Sequence, residues 1–267
     1  TSATVSVNER NADASFANNI EQTGAGDIAE FNVTLEDNDE TYVQIGGEDV
    51  DFVEVLFLKA DDASEPMEVR FNTRLLGTTE NVQQSDVYDT TNVDTIESAI
   101  YSASATGSTA SDITAAGGLD QSEIYEDDGE FGSVASGSAN TFFEQYLDAL
   151  DIIDVSSSVD ENVGDQLTRP IQPAEYQVTV AGYTGEDFVL DADPGGEANN
   201  QLASKSLELT QPEIGDITVH TAPEENADDT SDVQELVNAA TVSDEVAVDD
   251  RLIVQVEATG IYGALVA

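Results

Sequence analysis

Met67-Glu68-Val69-Arg70-Phe71-Asn72-Thr73-Arg74-Leu75 sets Met67, Val69, Phe71, Thr73 and Leu75 against Glu68, Arg70, Asn72 and Arg74. Apolar side chains at every second position place one face of a strand in a core and the other in water. The same alternation runs through Phe31, Val33 and Leu35, through Val53, Val55 and Phe57, and through Tyr176, Val178 and Val180. It returns at Ile217 and Val219 and at Leu252, Val254 and Val256. Turn formers separate these runs, among them Gly24-Ala25-Gly26-Asp27, Asp37-Asn38-Asp39, Gly46-Gly47 and Asp193-Pro194-Gly195-Gly196. No helical pattern of crossover length lies between the early strands, so the pairing expected is antiparallel and the fold expected is mainly β, a sandwich.

Between about 83 and 168 the alternation is lost and Ser, Ala, Thr and Gly rise, which reads as a Ser/Gly/Ala-rich insertion. Two helices are expected inside it. One follows the capping box Thr141-Phe142-Phe143-Glu144, with Phe143, Tyr146, Leu147, Leu150 and Ile153 on one face; the other starts near Asp94, with Ile96, Ala99, Ile100 and Ala103 in phase. A third helix is signalled by Val233, Leu236, Val237 and Ala240 after the polar stretch from Pro223 to Thr230. The expected organisation is a sandwich over 1–222 carrying the insertion, then a helix and strand over 223–267 that form part of a small second module or an intersubunit element. The apolar ending Gly260-Ile261-Tyr262-Gly263-Ala264-Leu265-Val266-Ala267 expects a partner.

Composition excludes several functions. The 267 residues carry 56 Asp and Glu against 7 Lys and Arg, a formal charge of −49. Seven scattered cations cannot track a phosphate backbone, so nucleic acid is excluded as a partner, and anionic membrane surfaces are disfavoured. With no cysteine there is no thiolate nucleophile and no disulfide framework. No stretch reaches the roughly 20 apolar residues of a membrane helix, and the Thr1-Ser2-Ala3-Thr4 start has no signal-peptide pattern. At physiological salt such a surface repels itself across a Debye length of about 8 Å, which shrinks to about 3 Å at 1 M. The acids are spread over every segment, so the chain reads as halophilic.

The stretches Gly26-Asp27-Ile28-Ala29-Glu30-Phe31-Asn32-Val33-Thr34-Leu35, Ile217-Thr218-Val219-His220-Thr221-Ala222-Pro223 and Asp250-Arg251-Leu252-Ile253-Val254-Gln255-Val256-Glu257-Ala258-Thr259-Gly260 resemble the surface glycoproteins of haloarchaea, the S-layer and S-layer-like proteins. The likeness covers the two ends and not the middle. It implies immunoglobulin-like modules in an extracellular coat, with other surface glycoproteins as further partners. Family members carry a signal peptide, a Thr-rich stalk and a C-terminal anchor, none of which this sequence shows.

Candidate sites are few. Asn32-Val33-Thr34 is the one N-x-[ST] sequon, and the alternation turns Asn32 away from Phe31 and Val33, so Asn32 is the candidate glycosylation site. Carboxylates at Asp37 and Asp39, at Asp61 and Asp62, and at Asp191 and Asp193 offer the oxygen ligands of Ca²⁺ or Mg²⁺; no other cofactor is expected, and the competing reading is solvated acidic surface. Gly24-Ala25-Gly26-Asp27-Ile28-Ala29 matches G-x-G-x-x-A but precedes a strand, so it offers no helix N-terminus to a pyrophosphate. His220, the one histidine, is expected exposed on the polar side of its strand. There is no G-x-S-x-G or H-E-x-x-H, and 6% aromatics with no Trp make a poor sugar cleft, so the chain is expected not to be an enzyme.

The reading that follows is an extracellular structural protein of a halophilic archaeon, self-assembling through an apolar terminal segment that pairs with a neighbour's sheet edge. Val5 and Val7 or Ile261, Tyr262 and Leu265 would make that contact. The alternatives are a cell-surface or viral adhesion module and a secreted halophilic hydrolase, which would need a pocket holding two close carboxylates.

Overall fold

The computed structural model describes residues 13–17, 22–78, 82–103, 150, 152, 171–182, 201–228, 233–243 and 245–266. The strands are β1 (Asp13–Phe16), β2 (Thr23–Gly24), β3 (Ile28–Glu36), β4 (Glu40–Gly47), β5 (Phe52–Ala60), β6 (Met67–Asn72), β7 (Tyr88–Thr91), β8 (Val93–Ser98), β9 (Glu175–Ala181), β10 (Gln201–Thr210), β11 (Ile214–Pro223), β12 (Thr241–Val242) and β13 (Asp250–Ala258). The described helices are short: Gln84–Val87, Ala99–Ala103, Glu224–Ala227, Val233–Ala239 and Tyr262–Leu265.

Two sheets make the sandwich: β1-β3-β6-β7, and β2-β10-β9-β4-β5-β8. Every pairing in them is antiparallel except the short β2–β10 contact. In β3 and β6 the expected alternation is present: Phe31, Val33, Leu35, Met67, Val69 and Phe71 are buried, while Glu30, Asn32, Glu68 and Arg70 share the outer face, with Asn32 opposite Glu68 and Glu30 opposite Arg70. The strand stops at Asn72 instead of reaching Leu75. The Asn72 side-chain oxygen accepts the Arg74 amide and its carbonyl accepts the amides of Leu75 and Leu76, which bends the chain into a turn.

The alternation through Val53, Val55 and Phe57 conceals a different situation. Glu54, Leu56 and Leu58 are buried too, as are six consecutive residues of β4 from Thr41 to Ile45 and Gly46. β4 and β5, neighbours in the six-stranded sheet, are buried on both faces, and near-continuous apolar runs such as Leu56-Phe57-Leu58 are the pattern of that condition. Leu150, from the expected helical stretch of the insertion, is buried in the same core.

Three boundaries differ from expectation. The helix anticipated from Asp94 is strand up to Ser98 and helix only over Ala99–Ala103, because Val93, Thr95 and Ile96 are β-branched and pair against β5. β7 and β8 therefore belong to the sandwich, although they lie inside the Ser/Ala-rich stretch. The unit boundary expected near Pro223 falls at 211–213, since β11 pairs with β13 from Ile214 to Pro223. The helix of the capping box at Thr141 lies outside the described residues apart from Leu150 and Ile152.

Among the described residues one acidic side chain is sealed in this interior. Glu54 is 0% exposed. Its Oε2 accepts the Tyr88 hydroxyl at 2.9 Å and the Ser98 hydroxyl at 2.7 Å, and its Oε1 accepts the amides of Val55 at 2.9 Å and Ile100 at 3.4 Å. The Tyr88 contact ties β7 of one sheet to β5 of the other. None of these partners is charged, so burial dominates and pushes the carboxyl up to about 7, against the lowering effect of the four hydrogen bonds. The same desolvation raises the Tyr88 and Tyr101 hydroxyls.

Between the unfolded value of 4.5 and about 7, folded Glu54 keeps its proton while the unfolded chain has lost it, so stability falls as pH rises through that window. The loss amounts to about 3 kcal/mol at 1.36 kcal/mol per unit. Glu54→Gln keeps the shape, and both hydroxyls can turn from donor to acceptor, so the variant should lack this slope. Urea denaturation in molar salt at pH 5 and pH 8 checks it; a wild-type and variant difference that is the same at both pH values refutes the assignment.

Candidate functional site

Beyond Thr210 the chain builds a third sheet, β12-β11-β13. Arg251 holds its flank: the guanidinium donates to both Asp228 oxygens, at 2.7 and 2.6 Å, and to Glu224 at 2.5 Å, and these carboxylates raise its pKa. The third sheet returns to the sandwich through a clasp. Asp27, in the turn between β2 and β3, accepts the Gly260 amide at 2.7 Å and the Tyr262 amide at 2.8 Å, one on each carboxylate oxygen. Gly263 donates its amide to the Gly26 carbonyl at 2.8 Å, and its own carbonyl accepts the Asn72 side-chain amide at 2.9 Å. Thr73 fixes the turn, accepting the Gly26 amide and donating to the Asp27 carbonyl.

The clasp depends on glycines at close approach. Gly26 has φ 103°, and a Cβ there would stand 2.2 Å from the Gly260 carbonyl oxygen; a Cβ on Gly263 would stand 2.5 Å from the Gly26 carbonyl oxygen. The G-x-G-x-x-A stretch thus serves a backbone-to-backbone junction.

Pairing β11 with β13 sets Ile217 opposite Val256, Val219 opposite Val254 and Thr221 opposite Leu252. Cross-strand partners share a face, and on this face Ile217, Val219, Leu252, Val254 and Val256 are 37% to 62% exposed. The opposite face carries His220 and Ile253, and the inward Leu236 of helix Val233–Ala239 is half-buried, whereas Val233 and Val237 are exposed. His220 is half-buried, not exposed as expected, and both ring nitrogens are enclosed without a hydrogen-bond partner. The five aliphatics leave on the order of 400 Å² of apolar surface in water, a size at which patches on single chains tend to be functional.

Two clefts flank the clasp. One, of about 310 Å³, is lined by residues that include Arg70, Asp86, Asp89 and Tyr262. The other, of about 410 Å³, is lined by Ala25, Gly26, Arg74, Ile171, Gln172, Pro173, Gln211, Pro212 and Gly260. Glu54, the carboxyl with the raised pKa, lines neither. In the first cleft Asp89 is paired with Arg70 at 2.5 Å and Asp86 accepts the Gln83 amide.

Asn32 is half-buried on the outer face of β3 and donates to Glu30 at 2.9 Å, with Thr34 on the same face. Asp37 occupies a left-handed turn position; Asp39 faces Lys59 at 4.0 Å; Asp62 is occupied by the Ser64 amide and hydroxyl, which lower its pKa; Asp61 is adjacent. Among the described residues no three acidic or histidine side chains gather as a metal site. Asp191 and Asp193, and Val5 and Val7, lie outside the described residues. Ile261, Tyr262 and Leu265 are exposed, but their segment is a helical turn pinned to the sandwich, not the expected free strand, because its amides are taken by Asp27 and Gly26. The clasp escaped the sequence reading; its one signal was Gly26, Asp27 and Gly260 inside the end motifs, with Gly263 in the apolar ending just after. No helix among the described residues is long and apolar enough to cross a membrane.

A family profile described as "Domain of unknown function (DUF7827)" matches residues 7–125, which covers the early sandwich strands and less than half of the chain. No curated protein and no solved structure matches the chain.

Asp27→Ala leaves the Gly260 and Tyr262 amides without their acceptor, at an expected cost of about 1–3 kcal/mol confined to the junction. Hydrogen exchange should show faster exchange at 260–263 while β4 and β5 keep their protection. Unchanged exchange at 260–263 would show that Asp27 does not hold the third sheet.

Proposed function

We propose that the chain is a non-enzymatic, extracellular structural protein of a halophilic archaeon that associates with copies of itself into a surface layer, tube or filament. The uncovered apolar face of β11 and β13 carries this reading. On a chain of net charge −49, that face is where two copies can meet without stacking carboxylates. Two such faces would bury roughly 800 Å², below the 1,200–2,000 Å² of a stable pair. Single contacts are then weak, and a repeating array with several contacts per copy is the arrangement that holds.

Salt enters through the charge. Near 1 M the repulsion between copies is screened to about 3 Å, so apolar contact can form. Ca²⁺ or Mg²⁺ fits the same picture as a bridge between carboxylates of two copies. Asn32, on the outer face of the four-stranded sheet, is the position for a glycan pointing away from the core. The enclosed position of Glu54 and the prior engagement of Asp86 and Asp89 favour a structural role over hydrolysis.

Electron microscopy and sedimentation across a NaCl series to 3 M, with and without Ca²⁺, test the reading. Ordered assemblies should appear at high salt and dissolve on dilution. Val254→Glu should abolish them while Val237→Glu, on the exposed side of the helix, should not. Wild-type protein that stays monomeric at every salt, or assembles equally well with Val254→Glu, removes the proposal.

A further inference from the structure

The cations of this chain are scarce, and most described ones are matched to acids. Lys59 meets Glu40 at 2.6 Å, Arg70 meets Asp89, and Arg251 meets Asp228 and Glu224. Arg74 differs: its side chain makes no ion pair or hydrogen bond among the described residues, although the chain holds eight acids for each base. Arg74 lines the cleft of about 410 Å³ at the junction, and none of the other described residues lining that cleft is an acid.

The walls are held in place before any ligand arrives. The Arg74 amide donates to the Asn72 side chain at 3.0 Å. The Ala25 amide donates to the Thr210 carbonyl at 2.9 Å, and the Ile171 amide to the Leu76 carbonyl at 3.1 Å. Pro173 and Pro212 stiffen two sides, and Gly26 and Gly260 close the floor through the clasp. Among the described lining residues, besides Gln172, which has partners of its own, the polar side chains are the Arg74 guanidinium and the Gln211 amide. A guanidinium presents a planar fork that matches a carboxylate with two parallel bonds, and primary amides donate to oxygen.

We propose that this cleft binds a carboxylate group. The carboxylate comes either from an Asp or Glu of a second copy or from a free acidic ligand such as a uronic acid. The forked geometry favours carboxylate over the chloride of a molar-salt medium, which can make only single contacts. The site stands without the self-association reading; only the second-copy source rests on it.

The five arginines make the test direct, because their side-chain Nε–Hε signals are few. Sodium glucuronate is titrated into the full chain at constant ionic strength in NaCl, with glucose as the uncharged control. One signal, identified by its loss in Arg74→Gln, should shift saturably with glucuronate and not with glucose. Arg74→Lys keeps the charge but loses the fork, and should weaken binding at least about tenfold, read by chemical shifts of the cleft amides. No saturable shift, or equal shifts at all arginines, overturns the proposal, as does undiminished binding in Arg74→Gln.

Sedimentation in molar salt separates the sources. If a second copy supplies the carboxylate, Arg74→Gln lowers association and sodium acetate lowers the wild type to the same level. If association is unchanged while the shift saturates, the ligand is a free acid. Val254→Glu reports on self-association independently, so either idea can fail alone.

Discussion

The junction between the sandwich and the third sheet centres on one carboxylate, with Gly26 and Asn72 holding Gly263 beside it. Asp27 spends one oxygen on Gly260 and the other on Tyr262, and the glycines around it allow backbone to meet backbone. The cleft beside Arg74 and the position of Tyr262 in the other cleft both depend on this clasp. An acid that terminates in backbone amides needs no cation, which suits a chain that has so few to spare.

Electrostatics explains a second economy. With 56 acids the surface cannot be neutralised internally, and among the described residues the one carboxyl in the core, Glu54, sits among hydroxyls and amides rather than beside a base. Such a group is tolerated best as the neutral acid. The interior therefore depends on packing, while the exterior depends on the ionic medium.

The sequence was legible where one face is buried and the other is wet. β3, β6 and β9 lie where Phe31, Met67 and Tyr176 begin their alternations, and the antiparallel sandwich follows. It was less legible where both faces are covered: Glu54 looked like the polar half of an alternation because period alone cannot show the second layer. It was silent where contacts join residues more than two hundred positions apart, as Asp27 joins Gly260 and Tyr262. The end motifs held Asp27 and Gly260 without revealing that they touch. The terminal apolar segment was read as a strand because exposed aliphatics suggest an edge, whereas its backbone amides already had acceptors.

The six-stranded sheet has a consequence for how the chain reaches its native state. β4 and β5 form a local hairpin, but β4 is closed on its other side by β9, and the Thr41 hydroxyl reaches the Ala181 carbonyl 140 residues on. During synthesis the hairpin must wait for most of the protein to emerge before its second edge is covered. In that interval Tyr42, Val43 and Ile45 stand at an open strand edge, the kind of surface that recruits other chains.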